Sequence, residues 1–135
     1  LYTSRRKGRE LAVQGLYEMD VRHVPAEEMT HFWYQAAADL EAAIPEDAAA
    51  AQAEELRRRN REAVEVAKPL LQGVAAHQAE IDELIEAATE NWRSDRLSVV
   101  DRCVLRLATF EMLHRPEIPT NITLDEAIEI ARRFS

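Results

Sequence analysis

An all-α fold is predicted by three observations. Only three glycines occur in 135 residues, too few for a turn-rich β protein. Ala, Leu, Glu and Arg, the strong helix formers, dominate the composition. Apolar residues recur every three to four positions through most of the chain. A chain of this length suits one domain with a core of its own.

The first helix is expected from Arg5 to Val21, capped by Ser4. Ala12, Leu16 and Met19 share one face, flanked by Leu11, Val13 and Tyr17. Pro25 opens a second helix, Ala26 to Ile44, whose apolar face is Met29, Trp33, Ala36, Ala37, Leu40 and Ile44. Pro45 ends it. The Ala-rich segment Ala48 to Ala53 leads into one long helix, kinked near Pro69, in which Gly73 allows a close helix contact. Ile81, Leu84, Ile85 and Ala88 mark a helix that stops before Asn91. Val99, Val100, Cys103, Val104, Leu107 and Phe110 define the next, Ser98 to His114. Ser98 and Asp101 have the spacing of a capping arrangement. After two prolines, Thr123 and Glu126 form an expected capping box, with Ile122 and Ala127 as its staple. Ala127, Ile130, Ala131 and Phe134 continue the last helix.

Charge is unevenly distributed. Arg5, Arg6, Lys7 and Arg9 give residues 1–9 a charge of +4, leaving −12 on the rest to reach the total of −8. Phosphates are attracted to the first turns and repelled elsewhere. Four such cations predict a salt slope of about −3 on single-stranded RNA. By charge alone, an anion contact and a solubilising terminus stand about equal. A second cluster, Arg57 to Arg61, lies among Glu54, Glu55, Glu62 and Glu65 at helical spacing, and reads as a self-paired surface.

Chemistry for catalysis is sparse. No Ser/His/Asp set or Gly-rich phosphate loop is present, and no cofactor is implied. Cys103 lies in an apolar stripe and reads as a core residue. One cysteine, no signal peptide and no membrane-length apolar run give a cytoplasmic expectation. Glu28-Met-Thr-His31 and Glu111-Met-Leu-His114 have the Glu-x-x-His form used in di-iron bundles. The first motif faces water on the helical wheel, which leaves the second alone, so no metal site is assigned. Glu111 shares a face with Val104 and Leu107; buried there, it needs a cation, and Arg106 or Arg102 is the expected partner.

Three stretches together resemble the NusB family of bacterial transcription antitermination factors. SRRKGRELAVQGLYEMD is similar to the family's opening, an Arg-rich start followed by Arg-Glu-x-Ala-x-Gln-x-Leu-Tyr, here Arg9, Glu10, Ala12, Gln14, Leu16 and Tyr17. NWRSDRLSVVDRCVLRLATFEML, residues 91–113, resembles the central signature through Trp92, Arg96, Leu97, Asp101, Leu105, Arg106 and Glu111. IPTNITLDEAIEIARRFS resembles its late helix through Ile118, Pro119, Glu126, Ala127 and Ala131.

The resemblance implies a bundle of six to seven helices in two packed subdomains, a single RNA- and protein-binding domain over residues 1–135, and no enzymatic activity. It implies binding of boxA RNA together with the small-subunit ribosomal protein NusE, within the RNA polymerase antitermination complex of ribosomal RNA transcription. Arg5, Arg6, Lys7 and Arg9 match the RNA-binding start. Asp101 matches an acidic position of the NusE-binding surface, with Arg102 beside it. The family continues with one more helix carrying a Phe-Val-Asn-Gly-like motif, so the domain is expected to lack its last helix. The Ala-rich region 36–60 is longer than the family pattern. Gly8 stands where Ala is usual, an expected loosening of about 1 kcal/mol. The alternatives are a NusB-like module of an RNA cytosine methyltransferase and a di-iron helical bundle.

Overall fold

The computed structural model describes residues 3–90, 92 and 97–135. These contain six α-helices: α1 Ser4–Arg22, α2 Thr30–Ala42, α3 Ala50–Ala76, α4 Gln78–Ala88, α5 Val99–His114 and α6 Thr120–Phe134, with a 3-10 turn at Ala26–Glu28. No strand occurs among the described residues. The protein is all-α, as predicted. Asn91 and Arg96 of the central signature lie outside the described residues.

The helix ends show where local signals hold and where they fail. Ser98 caps α5, its Oγ accepting from the Asp101 N–H at 3.1 Å. Thr3, and not Ser4, caps α1, accepting from the Arg6 N–H at 3.1 Å. Ser4 lies one residue inside, where its hydroxyl donates to Glu62 of α3. The expected second helix is interrupted at Met29, whose φ of −91° and ψ of 14° separate the 3-10 turn from α2. It also stops at Ala42, because Pro45 disfavours helical geometry at Ile44. α3 runs unbroken through Pro69. The expected capping box at Thr123 does not form. α6 starts earlier, at Thr120, with the Ile122 and Thr123 N–H groups bonding the Pro119 carbonyl. Thr123 is instead buried within the helix, Glu126 points to α1, and Ile122 is exposed.

α1, α3 and α5 form the centre. α1 and α3 run side by side in the same direction, bringing Gly8 to Ala63 and Val66, and Gly15 to Leu71. At Gly8, a Cβ would stand 2.5 Å from the Val66 Cγ1 and 3.0 Å from the Ala63 carbonyl. Gly8 is therefore a close-approach residue as well as a weak helix former. Gly73 of α3 meets the Phe110 ring of α5 in the same way, the close contact the sequence predicts. Leu11, Ala12, Leu16, Leu71, Val74 and Phe110 make the heart of the core. Burying each large side chain contributes about 1.5–3 kcal/mol. Cys103 is fully buried, and its thiol is pushed up to about 12 by burial. It is a core residue and not a nucleophile.

Two packed groups result. α2 lies antiparallel on α3, joined by Arg57 to Glu41 and by Lys68 over the Trp33 ring at 5.9 Å. α4, α5 and α6 pack on the other side, with Arg106 of α5 bridging Asp82 of α4 and Asp20 of α1. The Arg57 to Arg61 cluster is self-paired, as predicted: Arg57 and Arg61 meet Glu54, while Arg58 and Arg59 meet Glu55. Arg58 also meets Glu62. Its two guanidinium bonds help draw the Glu55 carboxyl down to about 2.

Candidate nucleic-acid interface

Four cations in five residues of a helix cannot share a face, because each residue turns the side chain by about 100°. At the start of α1 they take separate directions. Arg9 turns inward. Its guanidinium forks onto Glu111 of α5, Nε donating to Oε2 at 2.9 Å and Nη2 to Oε1 at 2.8 Å. Both side chains are buried, at 6% and 2% exposure. Glu111 thus has the cation its burial requires. The partner is Arg9, and not Arg106 or Arg102, and it lies 102 residues away.

Arg6 turns toward α6. Its Nε donates to Glu126 Oε2 at 2.8 Å and its Nη2 to Oε1 at 3.0 Å. That fork holds the Glu126 carboxyl below its ordinary value and raises the Arg6 guanidinium above its own, against the opposing effect of burial. Lys7 lies on another side, its Nζ 3.9 Å from Glu10. Glu10 is itself buried and is approached from α6 by Arg133 at 3.5 Å. The basic start is therefore not uncompensated: Glu111, Glu126 and Glu10 each stand against one of its members.

Arg5 is the exposed member and makes no ion pair among the described residues. It borders a cleft of about 220 Å³ whose other walls are Val66, Pro69 and Leu70 of α3, and Arg115, Glu117 and Ile118 after α5. The Arg9–Glu111 pair closes one side of this cleft. Arg115 lies with its guanidinium 5.3 Å from the Phe110 ring centroid. Two cations from opposite ends of the sequence thus face one recess. Arg115 was not legible as a site residue: it follows α5 as an isolated cation before a proline, and only the antiparallel packing of α1 on α5 brings it to Arg5.

Asp101 and Arg102 occupy the first turn of α5, both half-buried. Ten residues of helix separate Asp101 from Glu111, about 15 Å at 1.5 Å per residue. The residues singled out for RNA and those singled out for a protein partner therefore lie at opposite ends of α5. Trp92 of the central signature is buried, with Arg106 stacked 5.3 Å from its ring centroid.

Comparison with known proteins bears on the whole chain. The model of the NusB family matches residues 6–135. The chain belongs to the NusB family. It is 40% identical to the transcription antitermination protein NusB of Myxococcus xanthus over 97% of this chain and 82% of that protein. It is 35% identical to the protein of the same name from Bacillus subtilis, over 96% of this chain and 81% of that one. The corresponding protein of Geobacillus kaustophilus is 33% identical, with 96% and 82% covered. As a NusB-family protein over this length the chain is not an enzyme, which sets aside the di-iron reading. No helix among the described residues is long and apolar enough to cross a membrane.

Proposed function

We propose that this chain is a transcription antitermination factor. In this reading it binds the boxA element of nascent RNA together with the ribosomal protein NusE, within the RNA polymerase complex that transcribes ribosomal RNA. The observation that carries the reading is the match, across residues 6–135, to proteins named for antitermination.

The geometry supports a division of labour within the basic start. Exposed Arg5 and half-buried Arg115 supply the positive charge at the cleft, where the RNA backbone enters. Arg9 acts as a positioning residue: fixed by Glu111, it holds α1 against α5 so that Arg5 and Arg115 line one cleft. Arg6 and Lys7 add partly compensated charge on neighbouring faces. Asp101 and Arg102 take NusE at the far end of α5, so RNA and protein engage without competing for one surface.

The test is anisotropy of a labelled boxA RNA, titrated with and without NusE. Arg5→Ala and Arg115→Ala should each weaken binding several-fold, while Asp101→Ala should abolish the NusE-dependent gain and leave binding to RNA alone intact. Unchanged affinity in both arginine variants overturns the RNA surface. An undiminished NusE effect in Asp101→Ala overturns the partner surface.

A further inference from the structure

The end of α5 carries a second cluster, apart from the residues assigned above to RNA and to NusE. His77 joins α3 to α4, Glu80 lies in the first turn of α4, and His114 is the last residue of α5. Nδ1 of His77 stands 3.9 Å from Oε2 of Glu80, and Nε2 of His114 stands 3.5 Å from Oε1 of the same carboxylate. One donor atom from each residue lies within 4.8 Å of the other two. The His77 and His114 rings stack with centroids 4.1 Å apart, and His114 stacks in turn on Phe110 at 5.2 Å. Phe110 is locked against Gly73, so the wall behind the cluster is rigid.

One atom in this cluster is anomalous. Nε2 of His114 is buried from solvent and makes no hydrogen bond among the described residues. A buried polar nitrogen ordinarily has such a bond, and its lack calls for an explanation. The Glu111-Met-Leu-His114 motif also divides here. Glu111 turns inward to Arg9, while His114 turns to α4 and finds a second histidine and a different carboxylate.

We propose that His77, Glu80 and His114 form a binding site for a divalent transition-metal ion of the zinc type. Two imidazoles and one carboxylate are a donor set suited to such an ion, with water completing a four-coordinate shell. Metal–ligand distances of about 2.0–2.2 Å place donors about 3.3 Å apart. The present spacing is wider, up to 4.8 Å. Closure therefore requires the His77 ring and the Glu80 carboxylate to turn. Both are at the surface, at 41% and 52% exposure, and their terminal torsions are broad. His114, held by Phe110, is the fixed ligand. The bound ion would tie the α3–α4 corner to the end of α5, just before Arg115 and the turn into α6.

The test uses the intact chain and Zn²⁺ by calorimetry, with Co²⁺ absorption as a reporter of ligand identity. One ion per chain is expected, with visible Co²⁺ bands and a melting temperature that rises with Zn²⁺. His77→Ala, Glu80→Gln and His114→Ala should each weaken Zn²⁺ binding at least tenfold and erase those bands. His23→Ala and His31→Ala should leave both unchanged. Glu80→Gln, an exposed substitution, keeps the test valid if His114→Ala disturbs packing on Phe110. No stoichiometric binding, or binding that survives both His77→Ala and Glu80→Gln, overturns the proposal and leaves the cluster as a histidine–carboxylate ion pair.

Discussion

Removing either partner of the Arg9–Glu111 pair should cost far more stability than removing both. The two side chains are 6% and 2% exposed and are joined by a two-pronged fork at 2.8 and 2.9 Å. Arg9→Met leaves a carboxylate in the core without its cation, and Glu111→Met leaves a guanidinium without its anion. Each orphaned charge costs about 3–5 kcal/mol. For a chain of this size 1 kcal/mol moves the melting temperature by about 3–5 °C, so each single variant should melt about 10–20 °C lower. The double variant restores charge balance with apolar side chains. Replacing a buried pair in this way is commonly neutral or stabilising, so it should melt near the parent. Urea and thermal unfolding of all four proteins, followed by circular dichroism, closes the cycle. The reasoning is refuted if the single losses add in the double variant to within about 0.5 kcal/mol. It is also refuted if either single variant loses less than about 1 kcal/mol.

Three further outcomes follow from the same contacts. The Glu126 carboxyl is held below its ordinary value by Arg6, so that pair stabilises the fold above the unfolded carboxylate range and is lost as pH falls through the lowered folded value. Glu126→Gln should therefore flatten the acid arm of a stability–pH curve below the ordinary carboxylate range, by about 1 kcal/mol; an arm as steep as the parent's refutes this. Gly8→Ala gains about 1 kcal/mol of helix propensity but drives a methyl into Val66 and the Ala63 carbonyl. Overpacking of about 1–3 kcal/mol should outweigh the gain, giving a net loss of about 1 kcal/mol in denaturant unfolding, and a stabilised variant refutes the close approach. Because Arg6, Lys7 and Arg9 each stand against a carboxylate, the salt slope on single-stranded RNA should be near −1.4, from Arg5 and Arg115 at about −0.7 per cation, and not the −3 of four free cations. Anisotropy between 50 and 300 mM salt decides between them.

What sequence alone determined here is local. Helix content follows from composition and period, because a helix closes its own backbone bonds within four residues. Ser98 was legible as a cap, and Arg57 to Arg61 as a self-paired face, since their partners lie within one or two turns. The family was also legible, carried by three spaced motifs that the match across residues 6–135 bears out. Local signals misled where two of them competed. At α6 the chain already turns on the Pro119 carbonyl before reaching the attractive Thr123, and Thr3 takes the cap that Ser4 equally suits.

Tertiary structure alone decided the direction of each charge. Counted along the chain, Arg5, Arg6, Lys7 and Arg9 are one basic patch. In space they part, Arg5 and Arg9 bordering one cleft while Arg6 turns to α6 and Lys7 to Glu10, since helices approach α1 from different sides, two of them bringing acids from more than a hundred residues away. The same packing sends Glu111 and His114, three residues apart on α5, to opposite surroundings. It also places Arg115 and Arg5 on the walls of one cleft. Such pairings are set by which helix faces which, and that is a property of the packed core that no window of neighbouring residues contains.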